Sequence, residues 1–146
     1  MPAPHIVFTV TNDLNYDQRM QRICTSLAEA GYEVTLVGQE SSDSKPIENQ
    51  LFKQERLPIR HQKGKLFYWE YNRKLYKWLE ALAKRSSGQP LALCAIDLDT
   101  IIPCYLVSKK FNLPRVYDAH ELFTELTEVK RRPWIHAAWK WVERRM

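Results

Sequence analysis

His5–Gly38 reads HIVFTVTNDLNYDQRMQRICTSLAEAGYEVTLVG, and this stretch decides the fold. Residues 5–10 form a short, β-branched apolar run of the kind that makes a buried strand. TNDLNY (11–16) is rich in turn formers. Over 17–30, Met20, Ile23, Cys24, Leu27 and Ala28 recur at helical spacing. Asn15, with Gln18 three residues later, is the expected N-cap, and Gly31 the expected stop. A second strand follows over 33–38. Strand, helix and strand with short connections make a βαβ unit, which demands parallel pairing and a right-handed crossover.

The rest of the chain repeats the alternation. The polar residues 39–50 read as a loop. A third strand is predicted over 51–59, with Leu51, Lys53, Glu55 and Leu57 alternating against Phe52, Gln54 and Arg56. A long helix over 66–85 carries Phe67, Tyr71, Leu75, Trp78, Leu79 and Leu82 on one stripe. A fourth strand (91–96) precedes a helix near 100–111, where Pro103 is tolerated in the first turn. A fifth strand covers 115–118. A loop and short helix over 119–129 come next, and Pro133 opens a last helix. The expectation is an α/β chain: a Rossmann-like doubly wound parallel sheet flanked by helices, with residues 1–146 as one domain.

Composition excludes several classes. At 146 residues, 45% apolar and 27% charged, the chain reads as a globular domain with a proper core. No apolar run approaches the roughly 18 residues of a membrane span. The start, MPAPHIVF, lacks the pattern of a secretory signal. Cys24, Cys94 and Cys104 lack CxxC spacing and sit in apolar patterns, so buried free thiols in a reducing, cytoplasmic setting are expected.

The net charge of +5 is unevenly placed. Residues 53–85 carry 10 basic and 3 acidic side chains, and residues 130–146 carry 6 and 1. All five tryptophans, Trp69, Trp78, Trp134, Trp139 and Trp141, lie in these two blocks. Amphipathic helices with core aromatics and snorkelling cations account for most of 66–85. An anionic membrane surface is the other partner such blocks fit. Nucleic acid is not expected, because no binding signature accompanies the charge. The basic blocks are expected on helices away from the acidic strand-end loops, with 53–85 flanking the acceptor side of the cleft and facing the membrane.

Ligands of doubly wound sheets sit beyond the carboxyl ends of the strands. Three polar loops lie there. Asn12 and Asp13 follow the first strand, and no glycine occurs between Met1 and Gly31, so a dinucleotide or P-loop site is not expected. Asn12 and Asp13 either close an Asx-capped turn or form a polar lip for a hydroxylated ligand, joined by Arg19 one turn into the helix. Asp97-x-Asp99-Thr100 follows the fourth strand. Alone, it resembles the first motif of haloacid-dehalogenase-like phosphatases, with Asp97 as nucleophile, Asp99 as acid and Mg²⁺ beside them. The plain alternative has Asp99 capping the next helix. His120 and Glu121 follow the fifth strand, where an imidazole among carboxylates suits a sugar hydroxyl or proton transfer. A non-catalytic basic module binding membrane or nucleic acid is the third class of reading.

The segments NDLNYDQRMQRICTSLAEAGYEVTLVG (12–38), AIDLDTIIPCYLVSKK (95–110), RVYDAHELFTE (115–125) and RRPW…WVERRM (131–146) together resemble the N-terminal domain of bacterial family 4 (group 1) glycosyltransferases. The resemblance covers nearly the whole chain. It implies one half of a GT-B enzyme, two facing Rossmann-like domains that transfer a sugar from a nucleotide-sugar to a hydroxyl acceptor, one that can be lipid-linked. Transfer would retain anomeric configuration and use no metal or other cofactor, in polysaccharide or cell-envelope synthesis at the inner face of the cytoplasmic membrane. His120 matches the family's histidine near the anomeric carbon. Glu121 stands where many members have Asp, and Asp97 and Asp99 match the acidic residues that line the cleft. The family's glycine-rich loop is replaced here by Thr-Asn-Asp-Leu-Asn. The donor-binding C-terminal domain is expected as a further partner within the same enzyme, so these residues alone are expected to be inactive.

Overall fold

The computed structural model describes residues 3–45, 50–86, 88–119 and 133–144. Five strands, β1 (His5–Asp13), β2 (Glu33–Glu40), β3 (Lys53–Pro58), β4 (Leu91–Ile96) and β5 (Arg115–Asp118), form one sheet. Its order is β3-β2-β1-β4-β5, and every pairing is parallel. The helices are α1 (Gln18–Glu29), α2 (Gly64–Arg85), α3 (Ile101–Phe111) and α4 (Pro133–Glu143), with a 3-10 turn over Leu98–Thr100 leading into α3. The chain is Rossmann-like, as the alternation of elements predicts. The short helix expected over 119–129 lies outside the described residues.

Both faces of the sheet are buried, which explains why its central strands are continuous apolar runs. On one face Phe8, Val10, Leu36 and Ile96 pack with Met20 and Cys24 of α1. On the other, Val7, Val37, Leu93 and Ala95 pack with Tyr71, Leu75 and Leu79 of α2 and Ile101, Cys104 and Val107 of α3. The predicted stripe of α2 is thus its core face, with Trp78 and Leu82 at the edge. The three cysteines are free and buried, and burial pushes each thiol up to about 12, so none is a reactive thiolate.

Several local expectations are corrected. Asp17, not Asn15, caps α1: its Oδ1 accepts from the Met20 N–H at 3.0 Å. Asn15 instead accepts at Oδ1 from Arg56. Strand β3 is an edge strand shorter than expected, with Lys53 and Glu55 outward and Leu57 buried. Its follow-on loop is held by Glu70, buried on α2, which accepts from the backbone N–H groups of Arg60 and His61 and from the Lys74 ammonium. These donors hold the Glu70 carboxyl well below its usual range. Trp69 is 62% exposed rather than a core residue.

The most consequential irregularity lies at the end of β1. Thr9 pairs with Val37, but the next matched pair is Asp13 with Gln39. Four residues of β1 therefore run beside two of β2, and the surplus bulges outward. Tyr71 donates its hydroxyl hydrogen to the Val10 carbonyl, where β1 leaves its ladders, so that buried acceptor is satisfied. Gly38 lies beneath the bulge. A Cβ there would sit 2.6 Å from the Asn12 carbonyl oxygen and 2.4 Å from Leu14 Cδ2.

Candidate functional site

The strand order reverses direction between β1 and β4, so the crevice outside their carboxyl ends is the topological switch point. A depression of about 230 Å³ opens there. Thr11, Asn12, Arg19, Asp97 and Asp99 line it, together with Tyr16 and Asp17. Four of the sequence-predicted residues, Asn12, Arg19, Asp97 and Asp99, are therefore brought together from three separate segments. His120 and Glu121 lie outside the described residues.

Asp13 is placed elsewhere. Its carboxylate accepts from Ser44 at 2.6 Å and from the Asn15 N–H at 3.1 Å, with the Arg56 guanidinium 3.9 Å away. Those donors and that charge hold its carboxyl below the ordinary value despite burial. Asp13 pins the loop after β2 and does not line the crevice.

Asp99 does not cap α3. Its Oδ2 accepts from Thr11 Oγ1 at 3.2 Å, tying the β4 turn to the β1 bulge. Thr100, fully buried, anchors that turn by donating to the carbonyl oxygens of Thr9 and Ile96. Burial, reinforced by the neighbouring Asp97 charge, pushes the Asp99 carboxyl above its ordinary value, against the Thr11 hydrogen bond. Such a carboxyl is a better proton acceptor than a solvated one.

Asp97 has φ 58° and ψ 174°, a combination that is essentially reserved for glycine. Its N–H donates to the Asp118 carbonyl at 3.0 Å, which holds the strained turn against the end of β5. A carboxylate is kept where glycine would be easier, and such strain gathers at functional sites. Asp97→Gly should therefore be more stable than Asp97→Ala by about 1–3 kcal/mol, since both lose the carboxylate and only glycine relieves the backbone. Urea denaturation of the two variants checks this, and equal midpoints would sink the strain argument.

Arg19 reaches across the crevice from α1 and donates to Asp118 Oδ2 at 2.6 Å, both side chains being about one-third exposed. An anionic ligand in the crevice would compete with Asp118 for this guanidinium. Sequence reasoning missed Thr11, whose role depends on the bulge, and Tyr16 and Asp17. Asn12–Asp13 looked like one polar lip, but the bulge sends Asn12 into the crevice and Asp13 toward the β2 loop. Among the described residues, no group of three or more His, Cys, Asp and Glu side chains is arranged to hold a metal ion. No described helix is long and apolar enough to cross a membrane.

The basic helix is not remote from this site. Asp99 also lines a larger groove of about 890 Å³ between α2 and α3. Tyr68 of α2 feels its charge: burial first, then Asp99, raise the phenol above its ordinary value. The basic, Trp-bearing segment 53–85 thus flanks the acidic loops rather than lying apart from them, because α2 packs beside α3.

No known family profile matches the chain, and no curated protein sequence matches it. Solved structures do match. Sucrose-phosphate synthase from Thermosynechococcus elongatus is similar with TM-score 0.65 and 15% identity, over 95% of this chain and 40% of that one. UGT2 from Phytolacca americana gives 0.58 and 14%, over 79% and 29%. The C-terminal domain of a Pyrococcus furiosus hydrogenase gives 0.59 and 13%, over 80% and 91%. At these identities the likeness is one of fold, and a fold shared with a hydrogenase domain does not choose the chemistry. The chain spans less than half the length of the first two.

Proposed function

We propose that this chain is the acceptor-side half of a retaining family 4 glycosyltransferase. It would serve the transfer of a sugar from a nucleotide-sugar to a hydroxyl acceptor in polysaccharide or envelope glycan synthesis. The observation that carries the reading is the switch-point crevice, ringed by the three carboxylates of Asp17, Asp97 and Asp99 and by Arg19. The likeness to sucrose-phosphate synthase and UGT2, together with the quoted sequence resemblance, supports it.

Retaining transfer builds positive charge at the anomeric carbon and negative charge on the departing phosphate. A second Rossmann-like domain of the same enzyme would supply cationic and dipolar stabilisation of that phosphate, without a metal. Asn12, Asp97, Asp99 and Arg19 would hold the acceptor side, with His120 and Glu121 completing the site. Asp99, favoured in its neutral form by burial, would accept a hydrogen bond from the acceptor hydroxyl once ionised. The work would take place at the inner face of the cytoplasmic membrane, where the 89%-exposed indole of Trp134 and the cations of the two basic blocks suit an anionic surface.

Asp99→Asn tests this with two readouts that move in opposite directions. Raised in the fold, the Asp99 carboxyl destabilises the protein as pH climbs from its unfolded value through its folded one. The variant should therefore be more stable than the parent at neutral pH, with the gain vanishing below about pH 4. In the active enzyme the same change should lower kcat/KM about 10- to 100-fold, the worth of one charged hydrogen bond. Unchanged kcat/KM would remove Asp99 from the acceptor site. Mg²⁺-dependent phosphate release abolished by Asp97→Asn, with no sugar transfer, would replace the whole reading with a phosphatase.

A further inference from the structure

Helices α2 and α3 both start from the carboxyl edge of the sheet and run side by side down one face of it. The groove between them begins at Asp99, beside the switch-point crevice. It ends near Glu80 of α2, which pairs with Lys110 of α3 at 2.6 Å. From Lys65 to Glu80 the α2 wall is roughly 22 Å long, at 1.5 Å per helical residue.

Both walls repeat at helical spacing. On α2, Tyr68, Asn72 and Tyr76 recur every four residues, with Trp69 beside them. Opposite, Leu98, Ile102 and Leu106 recur every four residues. Two such rows make ridges, and the trough between them has the shape that receives the ridge of a third helix. Ile102 and Leu106 are nearly half exposed and Trp69 more so, an unusual outlay of apolar surface.

The charges are one-sided. Lys65, Arg73 and Lys77 edge the α2 wall and form no ion pair among the described residues. Arg73 stacks on Trp69 at 5.3 Å, which leaves the edge of its guanidinium open to a carboxylate. Glu80 is already paired, with Lys110 and with Lys84 at 3.4 Å. The α3 wall is carbon apart from Asp99 at its leading turn. An occupant must therefore be elongated, apolar along one stripe and acidic along the flank that meets α2.

A second copy of this chain has no described helix of that kind, since each is neutral or basic in its Asp, Glu, Lys and Arg. A flat bilayer surface would leave the groove's floor, where Leu98 is buried, unfilled. A domain facing the strand ends would reach only the Asp99 end. We infer that the groove between α2 and α3 is the docking site for an acidic amphipathic helix of another protein. Its apolar stripe lies along Leu98, Ile102 and Leu106, and its carboxylates meet Lys65, Arg73 and Lys77. The inference goes beyond the glycosyltransferase reading and stands whether or not the crevice transfers a sugar.

The probes are three synthetic peptides of about 16 residues, long enough to span the groove. One carries leucines on a single helical stripe with glutamates flanking it. The second replaces the glutamates by lysines, and the third scrambles the first so that no stripe survives. Binding to the full chain is followed by tryptophan fluorescence and calorimetry. Saturable one-to-one binding of the acidic peptide is expected, at least tenfold tighter than that of either control. Leu106→Asp should weaken it at least tenfold. The double variant Arg73→Glu, Lys77→Glu should reverse the preference, binding the lysine peptide more tightly than the glutamate one. A gain of that kind cannot come from misfolding. No binding of the acidic peptide, equal binding of the scrambled one, or an unchanged preference after charge reversal would each overturn the inference. So would self-association of the chain that Leu106→Asp abolishes, or binding to anionic vesicles through these same residues with no peptide bound.

Discussion

Gly38→Ala is expected to cost about 3 kcal/mol of folding stability, the upper end of overpacking in a well-filled core. The added methyl would lie 2.6 Å from the Asn12 carbonyl oxygen and 2.4 and 2.9 Å from two Leu14 carbons. Neither neighbour can yield cheaply. Asn12 contributes backbone, and Leu14 is fully buried. The cost is one of space and not of dihedral angle, since Gly38 has no positive φ. In a domain stabilised by about 5–15 kcal/mol, the loss should lower Tm by roughly 10 °C. What yields should be the bulge, so Thr11 and Asn12 should move and the crevice should lose its β1 lip. Chemical denaturation measures the first effect, and amide exchange over 10–14 the second. A midpoint within the error of the parent's would show that the bulge is not wedged against β2.

The second large effect is on chemistry. In the active enzyme, His120→Ala is expected to lower kcat by about 10²–10⁴, the worth of a positioned hydrogen-bonding or proton-transferring imidazole. Folding is expected to be untouched, and a thermal melt of the variant checks it. Strand β5 delivers the chain to the correct edge: Asp118 pairs with Ile96 in the sheet, and its carbonyl accepts from the Asp97 N–H. His120 follows two residues later. The expected signature is a fall in kcat with little change in Tm. Near-normal turnover would remove His120 from the site.

Much of this architecture was legible in the sequence. The β-branched run 5–10, the helical spacing of Met20, Cys24 and Leu27, and the stripe from Phe67 to Leu82 are local patterns set by backbone geometry. They place strands and helices without reference to distant residues. The strand-end positions of Asn12, Asp97 and Asp99 follow from the same reading, because topology puts ligands there. What escaped were contacts between segments far apart in sequence. The Asp17 cap could not be told from Asn15, since both are good capping residues and only helix phase separates them. Asp13 looked equivalent to Asn12 until a bulge sent them to different neighbours. Trp69 matched a core aromatic in type, yet it lies two residues from both Phe67 and Tyr71, off the buried stripe that they define.

The sequence by itself determined an α/β chain with parallel strands and a polar rim at their carboxyl ends, because periodicity and burial are properties of a segment's own side chains. Only the tertiary structure decided that Gly38 must lack a side chain, that Asp97 is strained, and that Asp99 stands between a polar crevice and an apolar, cation-edged groove. Those facts depend on which segments pack together and how closely. The net charge of +5 says nothing of α2 lying beside α3, and that packing brings a basic face to an acidic site.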